Sequence, residues 1–397
     1  MEYIFSNKIK SLKPSSIREI LKNSSAPGII ALAAGNPAAE SFPLLEMEKI
    51  SQSIFADRAL CNAAFQYGVT EGYGPLVEKT ANRLKKRFSI GRNFDSVIIT
   101  SGGQQGLNLV TKVFCNEEDV ILCENPSFIG ALNTFRSYNT KLVGIDMEED
   151  GINLESLEAA LKKENNVKLL YIISTFQNPT GITTSLKKRK AIYDLCLRHK
   201  VMILEDNPYG DLRFTGEEIP TIKSLDEEGI VMYCGSYSKV FSAGVRIGFL
   251  CGPEEAIAKC TVAKQGQDVH TNQFCQIMLD KFMEEYNFEE HIKSVQQIYG
   301  RKSSLMLEGI DKYFDKSVSA TRPEGGLFLW CTMPQGNDAS MLAKRLIERK
   351  VSIVPGIAFM INSNDAASFR LNYSTPSDEQ IKEGIKIIGE TLQEFLQ

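Results

Sequence analysis

The chain has 397 residues, enough for about two or three domains with sizeable cores. Its 45 Lys and Arg residues nearly balance 49 Asp and Glu residues, so no strong positive field draws it to nucleic acid or an acidic membrane. No apolar run approaches the ~18 residues of a membrane-spanning helix, and the first residues lack a signal-peptide pattern. The nine cysteines are scattered without a C-x-x-C pair, which indicates reduced thiols and predicts a cytoplasmic protein.

Several common catalytic signatures do not occur in the sequence. The three histidines, His199, His270 and His291, lack metal-ligand spacing, so we predict no metal site. Neither the glycine-rich P-loop nor the G-x-S-x-G turn of α/β-hydrolases is present. The chemistry must therefore come from other motifs.

The predicted elements indicate an α/β fold. A short amphipathic helix opened by serines is predicted at residues 15–22. Between about residues 95 and 250, buried strands alternate with stretches of helical spacing, which predicts a mostly parallel seven-stranded sheet flanked by helices. The predicted strands are Val97–Thr100, Val120–Cys123, Leu142–Ile145, Leu169–Ile173, Met202–Leu204, Val231–Tyr233 and Ile247–Cys251.

The last third of the chain predicts a smaller α/β domain. One long helix at about 288–312 is expected to link it to the large sheet. Strands are predicted at Gly326–Cys331, Val351–Val354 and Phe369–Ser374, and helices at Ala339–Glu348 and Asp378–Phe395. We therefore predict an N-terminal segment (1–45) that packs with the small domain, a large domain (46–300) and a small C-terminal domain (301–397).

Two small-residue motifs follow predicted strands, at the sheet edge where ligands bind in such folds. The segment Thr100–Gly106 joins a strand to a helix, and its free N–H groups would favour an anion such as phosphate. An ordinary glycine turn is the alternative. Asn178-Pro179-Thr180-Gly181 follows another strand and is by itself a common kind of turn.

Charged residues follow or interrupt three other strands. Asp206 ends a buried strand, where a carboxylate needs a partner. The partner could be a helix cap or an ion pair. It could instead be the protonated ring nitrogen of a bound cofactor, with Tyr209 as a nearby hydrogen-bond donor. Lys239 follows a strand between hydroxyl residues and is placed to form an imine, although most lysines are solvated surface charges. Arg246 could bind the phosphate that the segment Thr100–Gly106 would favour. Arg370 lies inside an apolar strand, and its planar guanidinium suits a carboxylate.

As a set, these motifs resemble the fold-type I pyridoxal-phosphate (PLP) aminotransferases. The sequence is most similar to the subgroup with the 2-aminoadipate and kynurenine aminotransferases and the aminotransferase-like half of GntR-type regulators. The resemblance covers nearly the whole chain. The matching segments are 16–21, 34–37, 66–68, 126–128, 178–181, 236–248, 323–328 and Arg370.

The resemblance implies roles for the matching residues. Lys239 would hold PLP covalently and act as the catalytic base, Asp206 would pair with the ring nitrogen, and Asn178 and Tyr209 would bond the ring 3′ oxygen. Phe128 would stack on the ring where the family usually has a tyrosine, so one hydroxyl is lost. The residues implied to bind the phosphate are Gly103, which replaces a frequent serine, and Gln104, Ser236, Ser238 and Arg246.

The resemblance also implies a substrate site and a partner. Arg370 would bind the substrate α-carboxylate, with Gly35 and Asn178 in the same site, and Arg18 would contact the substrate side chain. Tyr67 would reach the cofactor phosphate of a neighbouring subunit, which implies a homodimer with shared sites.

We therefore predict a PLP-dependent aminotransferase. It would move an amino group between an L-amino acid of the aminoadipate, aromatic or aliphatic type and a 2-oxo acid, with 2-oxoglutarate as the expected acceptor. A C–S lyase or decarboxylase on the same fold is one alternative. A PLP-binding regulator is another, although only about 30 residues precede the match, too few for a winged-helix domain.

Overall fold

The computed structural model describes residues 3–10, 26, 28–361 and 366–396. The helix predicted at residues 15–22, with Arg18, lies outside these ranges. The strands in chain order are β1 (Ile30–Ala31), β2 (Asp95–Thr100), β3 (Val120–Asn125), β4 (Lys141–Glu148), β5 (Gly151–Ile152), β6 (Val167–Ile172), β7 (Met202–Asn207), β8 (Val231–Ser236), β9 (Gly248–Pro253), β10 (Ser319–Ala320), β11 (Phe328–Thr332), β12 (Val351–Ser352), β13 (Val354–Pro355) and β14 (Ser368–Asn372).

Helices surround these strands. The α-helices are Asn7–Lys10, Leu44–Ala56, Arg58–Phe65, Gly74–Phe88, Gly103–Phe114, Ile129–Arg136, Leu154–Lys163, Leu186–His199, Glu254–Gln265, Gln273–Glu285, Phe288–Tyr313, Ala339–Glu348 and Asp378–Phe395. Short 3₁₀ turns occur at Ala39–Ser41, Lys223–Leu225 and Gly356–Phe359. The helices predicted at 339–348 and 378–395 have the predicted bounds, and the long linking helix differs by one residue at its end.

The large sheet confirms the predicted mostly parallel architecture. Its strand order is β2-β9-β8-β7-β6-β3-β4-β5. The two-residue β5 is an additional edge strand beside the seven predicted ones. The pairs β8–β7, β7–β6, β6–β3 and β3–β4 are parallel, whereas β9 is antiparallel to both of its neighbours. The carboxyl ends of the parallel strands therefore lie along one edge, where the predicted motifs occur.

Successive side chains of the central strands point to opposite faces of the sheet, and each face packs into its own hydrophobic core. In β3, Ile121 and Cys123 belong to the core that includes Leu107 of the helix at 103–114. Val120 and Leu122 face the other core, formed with the helices at 154–163 and 186–199. Because both faces of the sheet are covered, its central strands are continuously apolar.

The C-terminal part of the chain has its own sheet. Strands β10, β11, β14 and β13 form an antiparallel sheet in that order, in which Arg370 of β14 lies opposite Trp330 of β11. The N-terminal strand β1 pairs in parallel with β12, with Ile30 opposite Val351. Residues from both chain ends therefore meet, while the division into segments 1–45, 46–300 and 301–397 stays a prediction.

A close contact between two backbone segments fixes the turn after β2. Gly102 has a φ of +79°, which favours glycine, and the helix at 103–114 begins immediately after it. A Cβ on Gly248 of β9 would lie 2.7 Å from the carbonyl carbon of Gly102 and from the nitrogen of Gly103. The turn can occupy this position only because residue 248 has no side chain.

We expect Gly248→Ala to destabilise the protein by about 1–3 kcal/mol, because the added methyl group meets backbone that cannot rotate away. Urea unfolding without cofactor measures this change. Gly244→Ala is the matched control, since the only heavy atom near its Cβ is the Ser242 hydroxyl at 3.8 Å. Equal urea midpoints for Gly248→Ala and Gly244→Ala would contradict the view that the turn after β2 requires glycine at residue 248.

Candidate active site

A cavity of about 340 Å³ lies at the carboxyl ends of the parallel strands. It brings together twelve of the residues predicted from the sequence, from both ends of the chain and from the large sheet. They are Gly35, Gly103, Gln104, Phe128, Asn178, Asp206, Tyr209, Ser236, Ser238, Lys239, Arg246 and Arg370.

Asp206 contributes a buried carboxylate to this cavity. It lies near the end of β7, where the Tyr171 hydroxyl donates a hydrogen bond of 2.8 Å to Oδ2. Burial raises the pKa of the Asp206 carboxyl to about 7, and the bond from Tyr171 partly opposes that shift. No ion pair to Asp206 occurs in the described part of the chain. A cationic group bound in the cavity would therefore be stabilised here.

Lys239 contributes a reactive amine. Its Nζ donates to the carbonyl oxygen of Gly35 at 2.9 Å. Burial, together with the positive charges of Arg370 and Arg246, lowers the pKa of the Lys239 amine to about 8. A larger fraction of this amine is therefore neutral, and nucleophilic, near neutral pH than for an ordinary lysine.

Arg370 is held in one orientation. Its Nη1 donates to Asn178 Oδ1 at 2.8 Å, and its Nη2 donates to the carbonyl oxygen of Ala33 at 2.9 Å. The guanidinium carbon lies 4.2 Å from the ring centre of Phe328 and 4.9 Å from that of Phe359. Nε is buried without a hydrogen-bond partner. Burial lowers the pKa of Arg370 to about 10, so the group remains charged at neutral pH and can bind an anion.

Asn178 connects Arg370 to Tyr209. While its Oδ1 accepts from Arg370, its Nδ2 donates to the Tyr209 hydroxyl at 3.4 Å. Both Asn178 and Tyr209 are buried, and the Tyr209 ring lies edge-on to Phe328 at 5.8 Å. A polar array thus extends from the carboxyl end of β6 to the small sheet.

The start of the helix at 103–114 forms an anion-binding corner. The Arg246 guanidinium lies beside it and donates to the Ser238 hydroxyl at 3.3 Å, while the Ser236 hydroxyl accepts from the Ser238 backbone N–H at 3.1 Å. A Cβ on Gly102 would lie 2.2 Å from Arg246 Nη2, and the φ of +79° at this residue favours glycine. Free helix N–H groups, two hydroxyls and a guanidinium suit a phosphate.

Gln104 and Phe128 lie at the junction of two helices. Gln104 is in the first turn of the helix at 103–114, and its side-chain amide donates to the carbonyl of Gly130 at 3.0 Å and to the Thr134 hydroxyl at 2.6 Å. Phe128 immediately precedes the helix at 129–136 and lines the cavity. These contacts fix one wall of the site.

Of the predicted site residues that the structure describes, Tyr67 alone does not line this cavity. Tyr67 is 80% exposed, and its ring lies edge-on to His270 at 5.7 Å. Arg18 lies outside the described residues.

The sequence analysis also missed side chains that support the site, namely Tyr171, Phe328 and Phe359. A tyrosine inside an apolar strand was a usable signal, because a buried hydroxyl needs a partner.

Comparison with known proteins assigns the family. Residues 27–388 match the family model "Aminotransferase class I and II", so the chain belongs to this family. It is 37% identical to "Aromatic-amino-acid aminotransferase 1" of Thermococcus litoralis over 99% of this chain and 95% of the relative.

Two solved structures show the same fold. The kynurenine aminotransferase of Pyrococcus horikoshii, in complex with PMP, is 36% identical with a TM-score of 0.95 over 99% of this chain and 98% of that chain. The alpha-aminoadipate aminotransferase of Thermus thermophilus, complexed with N-(5'-phosphopyridoxyl)-L-leucine, is 36% identical with a TM-score of 0.90 over the same shares. The predicted fold-type I architecture is therefore confirmed.

The protein is a PLP-dependent aminotransferase, which moves an amino group between an amino acid and a 2-oxo acid. Among the described residues, no helix is long and apolar enough to cross a membrane. Within the same ranges, no group of three or more His, Cys, Asp or Glu residues could hold a metal ion.

The lowered pKa of Lys239 predicts its reactivity without cofactor. Reductive methylation with formaldehyde modifies only the neutral amine, so labelling should rise with pH through a midpoint near 8. An ordinary lysine titrates near ~10.4. Mass spectrometry of the peptide containing Lys239 measures the midpoint, and the exposed lysines of the same sample serve as reference. A midpoint that coincides with theirs would show that the buried environment does not act on this amine.

Proposed function

We propose that the cavity binds PLP and an amino acid side by side, with Lys239, Asp206 and Arg370 in separate roles. The observation that carries this proposal is the convergence of these three side chains on one cavity. Lys239, an amine with a lowered pKa, supplies a nucleophile. Asp206, a buried carboxylate without an ion pair among the described residues, supplies an anion. Arg370, whose guanidinium is fixed, supplies a receptor for a carboxylate.

The residues of the cavity fit this cofactor. A protonated ring nitrogen would give the buried Asp206 the cationic partner that the described residues do not provide. The phosphate would occupy the corner formed by the helix at 103–114, Ser236, Ser238 and Arg246. Asn178 and Tyr209 would bond the ring 3′ oxygen, Phe128 would stack on the ring, and Gln104 would line the phosphate corner. At Gly103, a Cβ would meet nothing closer than the Cys234 sulfur at 3.7 Å, so this position has room for a side chain.

Each side chain then has a defined task. When bound, PLP supplies an electron-withdrawing ring that stabilises negative charge at the substrate Cα. Asp206 keeps the ring nitrogen protonated, because its carboxylate favours the cationic form. With the cofactor bound, the Lys239 amine would take up the proton from the substrate Cα and hold it for return. Its pKa near 8 suits both halves of this transfer near neutral pH.

Arg370 binds the α-carboxylate that all amino-acid substrates share. Its Nε, buried and unpartnered, is available to a carboxylate oxygen, while Asn178 and Ala33 fix the rest of the fork. A carboxylate held in one place orients the Cα–H bond toward Lys239. The Gly35 carbonyl, which accepts from Lys239, lies in the same region.

The physiological donor belongs to the aminoadipate, aromatic or aliphatic type, and 2-oxoglutarate is the acceptor. Relatives named for aromatic amino acids, kynurenine and alpha-aminoadipate support this range. In the cavity, Phe128, Ile129 and Phe328 provide apolar surface for a side chain. Arg18 would contact the distal carboxylate of an acidic donor.

Donor profiling with 2-oxoglutarate tests both the activity and Arg18. We expect Lys239→Ala to abolish turnover, because nucleophile and base are lost together. Arg18→Ala should lower kcat/KM for 2-aminoadipate and glutamate by about 10- to 150-fold, the worth of one charged hydrogen bond. Phenylalanine and leucine should change only a few-fold.

The outcomes separate the alternatives. A uniform loss across donors would mean that Arg18 has a structural role. Release of a thiol and ammonia from a sulfur-containing donor would indicate a C–S lyase, and release of carbon dioxide would indicate a decarboxylase.

The protein functions as a homodimer with shared sites in a reducing, cytoplasmic compartment. Phe55, Phe65 and Tyr67 are 59%, 65% and 80% exposed, and Phe274 lies within 5.6–5.8 Å of the first two rings. An exposed aromatic cluster of this kind marks an interface. All nine cysteines are free thiols, as expected in a reducing compartment.

Mixed dimers test whether Tyr67 serves the neighbouring site. Lys239→Ala should be inactive, and Tyr67→Phe should lose about tenfold in kcat/KM through one missing hydrogen bond to phosphate. After subunit exchange between equal amounts, each mixed dimer has one site with both residues intact. About a quarter of all sites should then recover full activity. Verified exchange without recovery would show that each site is built from one chain.

A further inference from the structure

A buried glutamate lies close to the site but has no role in the mechanism above. Glu124 belongs to β3, the neighbour of β6, and none of its surface is exposed. Its Oε2 accepts from the Ile173 backbone N–H at 3.0 Å and from Gln177 Nε2 at 3.2 Å. Oε1 is buried without a hydrogen-bond partner. A side chain that is this costly to bury must stabilise something specific.

Gln177 is the second member of this cluster, and all its hydrogen-bonding capacity is used. Its Nε2 donates to Glu124 and also to the Pro126 carbonyl at 2.8 Å. Its Oε1 accepts from the Thr180 backbone N–H at 2.9 Å and from the Thr180 hydroxyl at 2.7 Å. With both N–H groups and the oxygen bonded, the side chain has a single position.

The backbone around Gln177 needs such an anchor. Phe176 has a φ of +51°, in the left-handed region that non-glycine residues avoid, and Gly181 has a φ of +74°. This segment connects β6 to the helix at 186–199 without forming a regular element. Contacts from outside the segment must therefore hold it in place.

The residue next to Gln177 is Asn178, which accepts the 2.8 Å hydrogen bond from Arg370. Any displacement of Gln177 moves the Asn178 amide and thereby the guanidinium plane. A displacement of about 1 Å would break a hydrogen bond of this length. The cluster thus lies one residue away from the proposed receptor for the substrate carboxylate.

We propose that Glu124 and Gln177 are positioning residues that hold Asn178, and through it Arg370, in the orientation that binds the substrate carboxylate. This inference rests on the proposed role of Arg370. Neither residue touches substrate or cofactor. Burial raises the pKa of the Glu124 carboxyl to about 8, so it is largely uncharged at pH 7 and glutamine is a close replacement.

Three variants and one control separate positioning from stability. Glu124→Leu removes the acceptor and leaves the N–H groups of Ile173 and Gln177 unpaired. Glu124→Gln keeps an uncharged acceptor. Thr180→Val removes the hydroxyl bond to Gln177, together with the bond that this hydroxyl accepts from the Ile182 backbone N–H. Asp226→Asn is the control, because Asp226 is an equally buried carboxylate that binds Lys223 at 2.8 Å and contacts neither Gln177 nor Asn178.

The readouts are KM and kcat for phenylalanine, and the Kd of 3-phenylpropionate, a carboxylate that cannot react, from calorimetry on the holoenzyme. For Glu124→Leu we expect KM and Kd to rise about tenfold and kcat to change less than about threefold. Thr180→Val should show the same pattern at about threefold. Glu124→Gln and Asp226→Asn should stay within about twofold of the wild type.

Arg370→Lys is the reference variant that distinguishes a failure of the proposed role of Arg370 from a failure of the positioning inference. An unchanged Kd in Arg370→Lys would overturn the proposed role of Arg370 itself. The positioning inference alone would be overturned by a different result. In that case Arg370→Lys binds 3-phenylpropionate more weakly, while Glu124→Leu and Thr180→Val have the same KM and Kd as Asp226→Asn. If Glu124→Leu does not fold, the comparison of Thr180→Val with Asp226→Asn decides the question.

Discussion

Burial of charge at the carboxyl edge of the large sheet is the constraint on which the rest of the structure depends. Asp206, Lys239 and Arg370 surround one cavity, and burial shifts the pKa of each toward its neutral form. Among the described residues, Asp206 accepts one hydrogen bond from Tyr171 and Lys239 donates one to Gly35, whereas Arg370 donates two and contacts two aromatic faces, with no ion pair between the three. Charged groups held in this way are stabilised further by charged ligands, and the site is therefore prepared for a cofactor and a carboxylate.

The site depends on joining distant parts of the chain. Arg370 extends from β14 of the small sheet, contacts Asn178 after β6 of the large sheet, and binds the carbonyl of Ala33 next to the N-terminal strand. Pairing of β1 with β12 brings that N-terminal segment to the C-terminal part. The proposed receptor for the substrate carboxylate is therefore assembled from the large sheet, the small sheet and the N-terminal segment.

The strongest sequence predictions concern patterns that local physics enforces. Strands β3 and β7 are visible because a parallel sheet covered on both faces requires continuous apolar segments. The predicted bounds of helix 378–395 agree with the structure, which shows a Ser377 capping box at the start of this helix. The residues proposed to bind the cofactor could be predicted because their motifs follow strands whose carboxyl ends share one edge.

Other features required the tertiary structure. The two-residue β5 and the pairing of β1 with β12 are too short to leave a periodic signal. The contacts of Arg370 with Phe328 and Phe359, and those within the Glu124–Gln177 cluster, join residues of separate elements and leave no pattern in the sequence.

The sequence by itself determined the alternation of elements, the chemical types at the strand ends and the resemblance that names the cofactor. Only the tertiary structure decided which side chains meet, how deeply Asp206 and Lys239 are buried and which donors of Arg370 remain available. The reason is physical. Periodicity and turn chemistry act between residues close in the chain, whereas pKa values and hydrogen-bond partners depend on packing between separate strands, helices and loops.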